Sequence, residues 1–171
     1  AFGGSETVTF TYNNGTDDIE VAVTVTGVND APSITLGADQ TVPENSGAHS
    51  VSNFATGFDP VEPGQSVLEY VVSNDNNGLF SGQPAIDLNG ELTYTLAANV
   101  SGSATVTVRV RDDGGTADGG VDLSAPQTFT ITVTPQPILA NVAATTAAAS
   151  EPGTDGQFTV TLSTASASDT V

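Results

Sequence analysis

Oxygen donors dominate the chemistry open to this chain. The stretch Val28-Asn29-Asp30-Ala31-Pro32 sets an amide, a carboxylate and a proline within five residues, between two blocks of strand-like sequence. Such a segment suits a stiff, oxygen-rich junction better than a flexible tether, and the expectation it raises is a metal-clamped joint between stacked β-domains. A second concentration, Asp112-Asp113-Gly114-Gly115, has two readings. It is a tight turn, where aspartate and glycine are favoured on backbone grounds, or a source of cation ligands. Asn29 and Asp30 divide the same way, between ligation and capping the preceding strand.

Other chemistries are poorly supplied. His49 is the sole histidine and the chain has no cysteine, so a zinc site is not expected and His49 is assigned to a loop. No Gly-x-Ser-x-Gly elbow occurs, and any serine nucleophile would have to use that one histidine as its base. Paired carboxylates can hydrolyse glycosides, but 20 acidic residues generate many accidental pairs. The chain is therefore read as a non-enzyme. Its only cations are Arg109 and Arg111 against a net charge of -18, which leaves nothing to neutralise a row of phosphates and excludes nucleic acid. Such an acid excess is either solvated or partly neutralised by bound cations. Without lysine there is no lysine-to-asparagine isopeptide cross-link, so stiffness must come from packing, proline or calcium. The sequons Asn14-Gly15-Thr16 and Asn99-Val100-Ser101 are weak signals. The chain has no methionine, no apolar run of membrane-spanning length and no visible signal peptide, and it is expected to be a mature or excised piece of something longer, without membrane insertion in this segment.

The elements that must carry these residues are strands. Val8, Phe10 and Tyr12 alternate with threonines, Ile19, Val21, Val23 and Val25 repeat the pattern, and Asn13-Asn14-Gly15 marks the turn of a β-hairpin. Two strands alone are marginal in water. Residues 1–28 thus read as the last hairpin of a preceding domain, completed by strands elsewhere in the chain or by a neighbouring molecule. Residues 33–42 and the turn Pro43-Glu44-Asn45 open a new block. Alternating runs follow at Leu68 to Val72, Leu92 to Leu96, Ala104 to Val110 and Phe129 to Val133, separated by turn-rich segments. With no helical period, residues 29–135 are expected to form an all-β antiparallel sandwich of ordinary size. Thr134-Pro135-Gln136-Pro137 breaks the pattern as a second junction without a carboxylate. Residues 138–171, with Glu151-Pro152-Gly153 before Phe158, Val160 and Leu162, read as the opening strands of a third β-domain.

Residues 28–134 resemble the cadherin-like, immunoglobulin-like repeats of giant bacterial surface and secreted adhesins. The resemblance rests on Val28-Asn29-Asp30-Ala31-Pro32, on Pro43-Glu44-Asn45, on Asn89-Gly90-Glu91-Leu92-Thr93-Tyr94, and on the run from Val106 through Gly115 to Phe129-Thr130-Ile131-Thr132-Val133. Residues 142–162 look like the start of a Calx-beta domain. The resemblance implies calcium between successive domains. On this sequence it implies Asn29 and Asp30 as linker ligands, Asp59 with Glu62 from a downstream loop, Asp112 or Asp113 from the late turn, and Glu44 facing the opposite, lower junction. Where the family carries a mid-domain acidic motif this sequence has Ala97-Ala98-Asn99, so the lower junction is expected to be stiffened by its prolines. Plain structural readings stand beside these: Asp59 as a turn residue before Pro60, Glu44 as a surface residue, Asp118 and Asp122 as solvated.

Together these features predict an extracellular or cell-surface segment of a large repeat protein, a calcium-stiffened spacer or adhesive filament. Its partners are neighbouring repeats and, in a fibre, other copies, with a surface or glycan target elsewhere in the full protein. The alternatives are a carbohydrate-binding or accessory module of a secreted enzyme, for which aromatics at 6% leave little to build a platform, and a fibre subunit completed by strand exchange.

Overall fold

A computed structural model describes residues 5–13, 15, 18–137, 140–144 and 158–162. The first hairpin is present as β1 (Ser5–Asn13) and β2 (Asp18–Thr26), paired antiparallel with Phe10 opposite Val21 and Val8 opposite Val23. Gly15 takes φ +89° and donates its amide to Asn13 Oδ1 at 2.7 Å, the local bond that fixes the turn. Alternation puts Val8, Phe10, Val21, Val23 and Val25 on one face, and that face is open, with Phe10 60% exposed.

The sandwich follows. Residues 33–42, which open this block, make two strands, β3 (Ser33–Leu36) and β4 (Gln40–Pro43), in different sheets. The switch lies at Gly37, whose amide donates to Phe54 O at 2.7 Å and where a Cβ would stand 2.8 Å from the Phe54 ring. Asp39 completes the crossing by accepting the Thr130 amide at 2.7 Å. After it come β5 (Ala48–Val51), β6 (Ala55–Asp59), β7 (Val67–Asn74), β8 (Phe80–Ile86), β9 (Leu92–Leu96), β10 (Gly102–Asp112) and β11 (Gln127–Thr134). One sheet has the order β4-β11-β10-β7, with β4 parallel to β11. Opposite it are the pair β3-β6 and the sheet β5-β9-β8. The two layers share one core, in which Leu79, Leu92, Val106, Val108, Val110 and Ile131 are fully buried and the Phe54 and Phe129 rings lie 4.5 Å apart. Each such side chain contributes about 1.5–3 kcal/mol by leaving water.

Two placements correct the sequence reading. His49 is not in a loop; it lies half-buried on β5, opposite Tyr94, with the two rings stacked 5.0 Å apart. Glu44 is not a surface residue; it follows β4 and is only 5% exposed, its amide donating to Thr134 O at 2.8 Å. Beyond residue 137, β12 (Ala140–Ala144) and β13 (Phe158–Leu162) pair antiparallel. The motif Glu151-Pro152-Gly153 lies outside the described residues.

Candidate functional site

The inward phase of β10 selects the first site residue. Ala104, Val106, Val108 and Val110 point into the core and Asp112 is the next in that series, so a carboxylate reaches the end of the sandwich 1% exposed. Asp113, one residue on, faces out, and its Oδ1 accepts the Ser66 amide at 2.9 Å. The sequence left these two aspartates equivalent; strand phase separates them.

Asn29 then threads the linker into this end. Its Nδ2 lies 2.9 Å from Asp112 Oδ1, 3.0 Å from Gly115 O and 3.1 Å from Val121 O, while its Oδ1 accepts from Gln65 Nε2 at 2.8 Å. Two hydrogens are thus divided among three acceptors, an amide held on every side. The Asn29 carbonyl also accepts the Val121 amide at 2.8 Å. Glycine makes room for this: a Cβ at Gly114 would come within 2.2 Å of Asn29 Oδ1 and 2.3 Å of Gln65 Nε2. Asn29 thus ties the linker to the end of the sandwich through both its side chain and its backbone.

The loop after β6 brings the second carboxylate. Asp59 is exposed and its Oδ1 accepts the Val61 amide at 2.9 Å, which makes it a turn former. Glu62 is 5% exposed, and its Oε2 meets the Asp30 amide at 3.3 Å. The Asp30 side chain itself is exposed. Among the described residues, Glu62 Oε1, Gln65 Oε1 and Asp112 Oδ2 are buried without a hydrogen-bond partner. All three belong to residues bonded to Asn29 or Asp30. Unpaired buried acceptors are costly, about 1–3 kcal/mol each and more when charged, so three at one junction are an arrangement that a hard cation would repay. Beside them opens a cleft of about 240 Å³ lined by Gly27, Val28, Asn29, Glu62, Gln65 and Gly114.

The donor set is all oxygen, two carboxylates with amide groups beside them, which suits calcium rather than zinc. No group of three or more histidine, cysteine, aspartate or glutamate side chains capable of holding a metal occurs among the described residues, so a cation here would need the amide and backbone oxygens as well. Of the predicted residues, the structure brings together Asn29, Glu62 and Asp112, with Asp30 contributing its backbone. Asp59 and Asp113 shape the flanking turns. Glu44 sits at the other end, beside Thr134, across the full length of β10, which at the rise of an extended strand is about 33 Å. Gln65 was missed because it carries no charge; its signal was its position three residues after Glu62, past the Pro63-Gly64 turn.

Elsewhere, Asp122 is not simply solvated: Arg111 grips it at 2.7 Å and Glu69 at 2.9 Å. The hydrogen bond it donates to Asp122, then that to Glu69, raises the Arg111 guanidinium above its ordinary value. Asp118 is exposed, at φ 54°. Ser46 Oγ lies 2.8 Å from His49 Nε2 and 2.7 Å from Pro43 O. Among the described residues His49 makes no bond to a carboxylate, so the pair lacks the group that would orient it for nucleophilic work. No helix among the described residues is long and apolar enough to cross a membrane.

A family model described as a bacterial Ig domain matches residues 29–134. The agreement lies at that level, and the cadherin-like and Calx-beta expectations are not part of it. No curated protein and no solved structure matches the chain.

Proposed function

Since the chain belongs to the bacterial Ig domain family, whose members usually occur in surface or secreted proteins, we propose that it is a calcium-stiffened spacer of such a protein. The matched domain is a structural module, and the work assigned to it is mechanical. Calcium held near Glu62, Gln65 and Asp112 would neutralise the two buried carboxylates, order the Val28–Pro32 linker and turn a hinge into a strut, so that extension is linked to metal. The observation that carries this reading is the set of three buried oxygens without partners at the junction. The finer version, a cadherin-like repeat between other repeats of an adhesive filament, draws on the linker and late-turn motifs and on the open apolar face of the first hairpin.

Thermal unfolding with calcium and with chelator tests it. At a hundredfold excess over the dissociation constant, calcium should add about 2.7 kcal/mol of stability. Glu62→Gln, which keeps the shape and removes a charge, should abolish most of that gain while leaving the sandwich folded. Identical melting with calcium and chelator would contradict the reading.

A further inference from the structure

The loop between β6 and β7 carries a backbone conformation that its packing does not explain. Val61 takes φ +70°, a region that a β-branched residue enters only under constraint, yet its side chain is 44% exposed and held by no core contact. Pro60 and Pro63 flank it and fix φ on both sides. Asp59 Oδ1 holds its amide at 2.9 Å. The next residue, Glu62, is the one carried inward, with Oε1 unpaired, and Gln65 follows with Oε1 unpaired as well. Strain and unpaired oxygens thus occupy one seven-residue segment, from Asp59 to Gln65.

We propose that Val61 is the positioning residue of a cation-dependent latch: the loop closes against Asp30 when a divalent cation engages Glu62 and Gln65, and springs open when the cation leaves. The proposal rests on the calcium reading above and adds to it a stored strain that weakens binding and makes release coupled to loop opening. Asp30, whose amide meets Glu62 Oε2 at 3.3 Å, is the point where loop closure is transmitted to the linker.

The test uses the whole chain and three proteins: wild type, Val61→Asn, whose new side chain tolerates positive φ, and Val61→Ile, which retains the strain. Calcium binding is read by calorimetry, stability by denaturation with calcium and with chelator, and loop closure by hydrogen exchange of the Asp30 amide. Val61→Asn should bind calcium about five- to tenfold more tightly, as expected for relief of one strained residue. It should gain more stability in calcium than in chelator, because the wild-type loop has already shed its strain when metal-free. Its Asp30 amide should exchange more slowly than that of wild type in chelator, and Val61→Ile should match wild type throughout. Equal stability gains in both conditions, with calcium affinity within twofold of wild type, would overturn the latch and leave the calcium reading standing. No calcium binding by any of the three would overturn both.

Discussion

The two junctions of the sandwich are built on different principles. At the upper one, Asn29 alone engages Asp112, Gly115, Val121 and Gln65, and Asp30 meets Glu62, so the linker is bound by side-chain and backbone groups from the end of β10 and the two loops beside it. At the lower one, residues 134–137 are all exposed, and the ties are the Glu44 amide on Thr134 O and a 3.3 Å bond from Thr134 Oγ1 to Val42 O. Beyond that point Pro135 and Pro137 supply stiffness through fixed φ alone. The contrast teaches that a linker can be made rigid from within, by proline, or from outside, by a polar socket. Only the second kind can be switched, because its partners can be satisfied or left wanting.

The contrast can be broken first at Asn29. Asn29→Ala removes a hydrogen bond to a buried carboxylate and leaves two carbonyls short, and it should destabilise the sandwich by about 3 kcal/mol in chemical denaturation. Gly114→Ala presses a methyl group onto Asn29 and Gln65, and about 1–3 kcal/mol is expected. Pro135→Ala and Pro137→Ala, at exposed positions of the lower junction, should stay within about 0.5 kcal/mol. If the proline variants cost as much as Asn29→Ala, the distinction between the junctions is lost.

An acid titration sharpens the comparison at a turn that belongs to neither junction. The backbone amide of Glu91, then the Asn89 side chain, lowers the Asp87 carboxyl below its ordinary value. A depressed carboxylate stabilises the fold above the unfolded value, about 3.9, and that contribution fades only as the pH falls through the lower folded value. The β8–β9 turn should therefore keep its structure at pH 4 with or without calcium, read by NMR of Gly90. Calcium-dependent behaviour of that resonance would show that the metal acts outside the upper junction.

Much of the fold was legible because its central strands are strictly periodic: Ala104 to Val110 and Phe129 to Val133 alternate without interruption and became the middle of one sheet. The strands that escaped notice are short or interrupted. β5 is four residues with a histidine, β6 carries Gly57, and β8 holds Gly82 and Pro84 with register shifts against β9, so none shows a clean period of two. The site was half legible. Asn29, Glu62 and Asp112 were named as ligands alongside Asp30, Asp59 and Asp113, but how the six divide between buried and exposed positions was not legible, because a sequence shows which residues carry oxygen and not which oxygens remain unpaired after folding. Extending the Ala104 to Val110 phase by one step would have chosen Asp112 over Asp113. Burial of Glu62 could not have been read, since it lies in a loop without a period of two, next to an exposed Val61 at positive φ.

Amide hydrogen exchange on the whole chain, compared in calcium and in chelator, tests the central claim most directly. The account predicts that protection at Val28, Asn29, Asp30 and Ala31 rises with calcium while Thr134 and Gln136 do not change. Equal changes at both junctions, or none at the upper one, would contradict it.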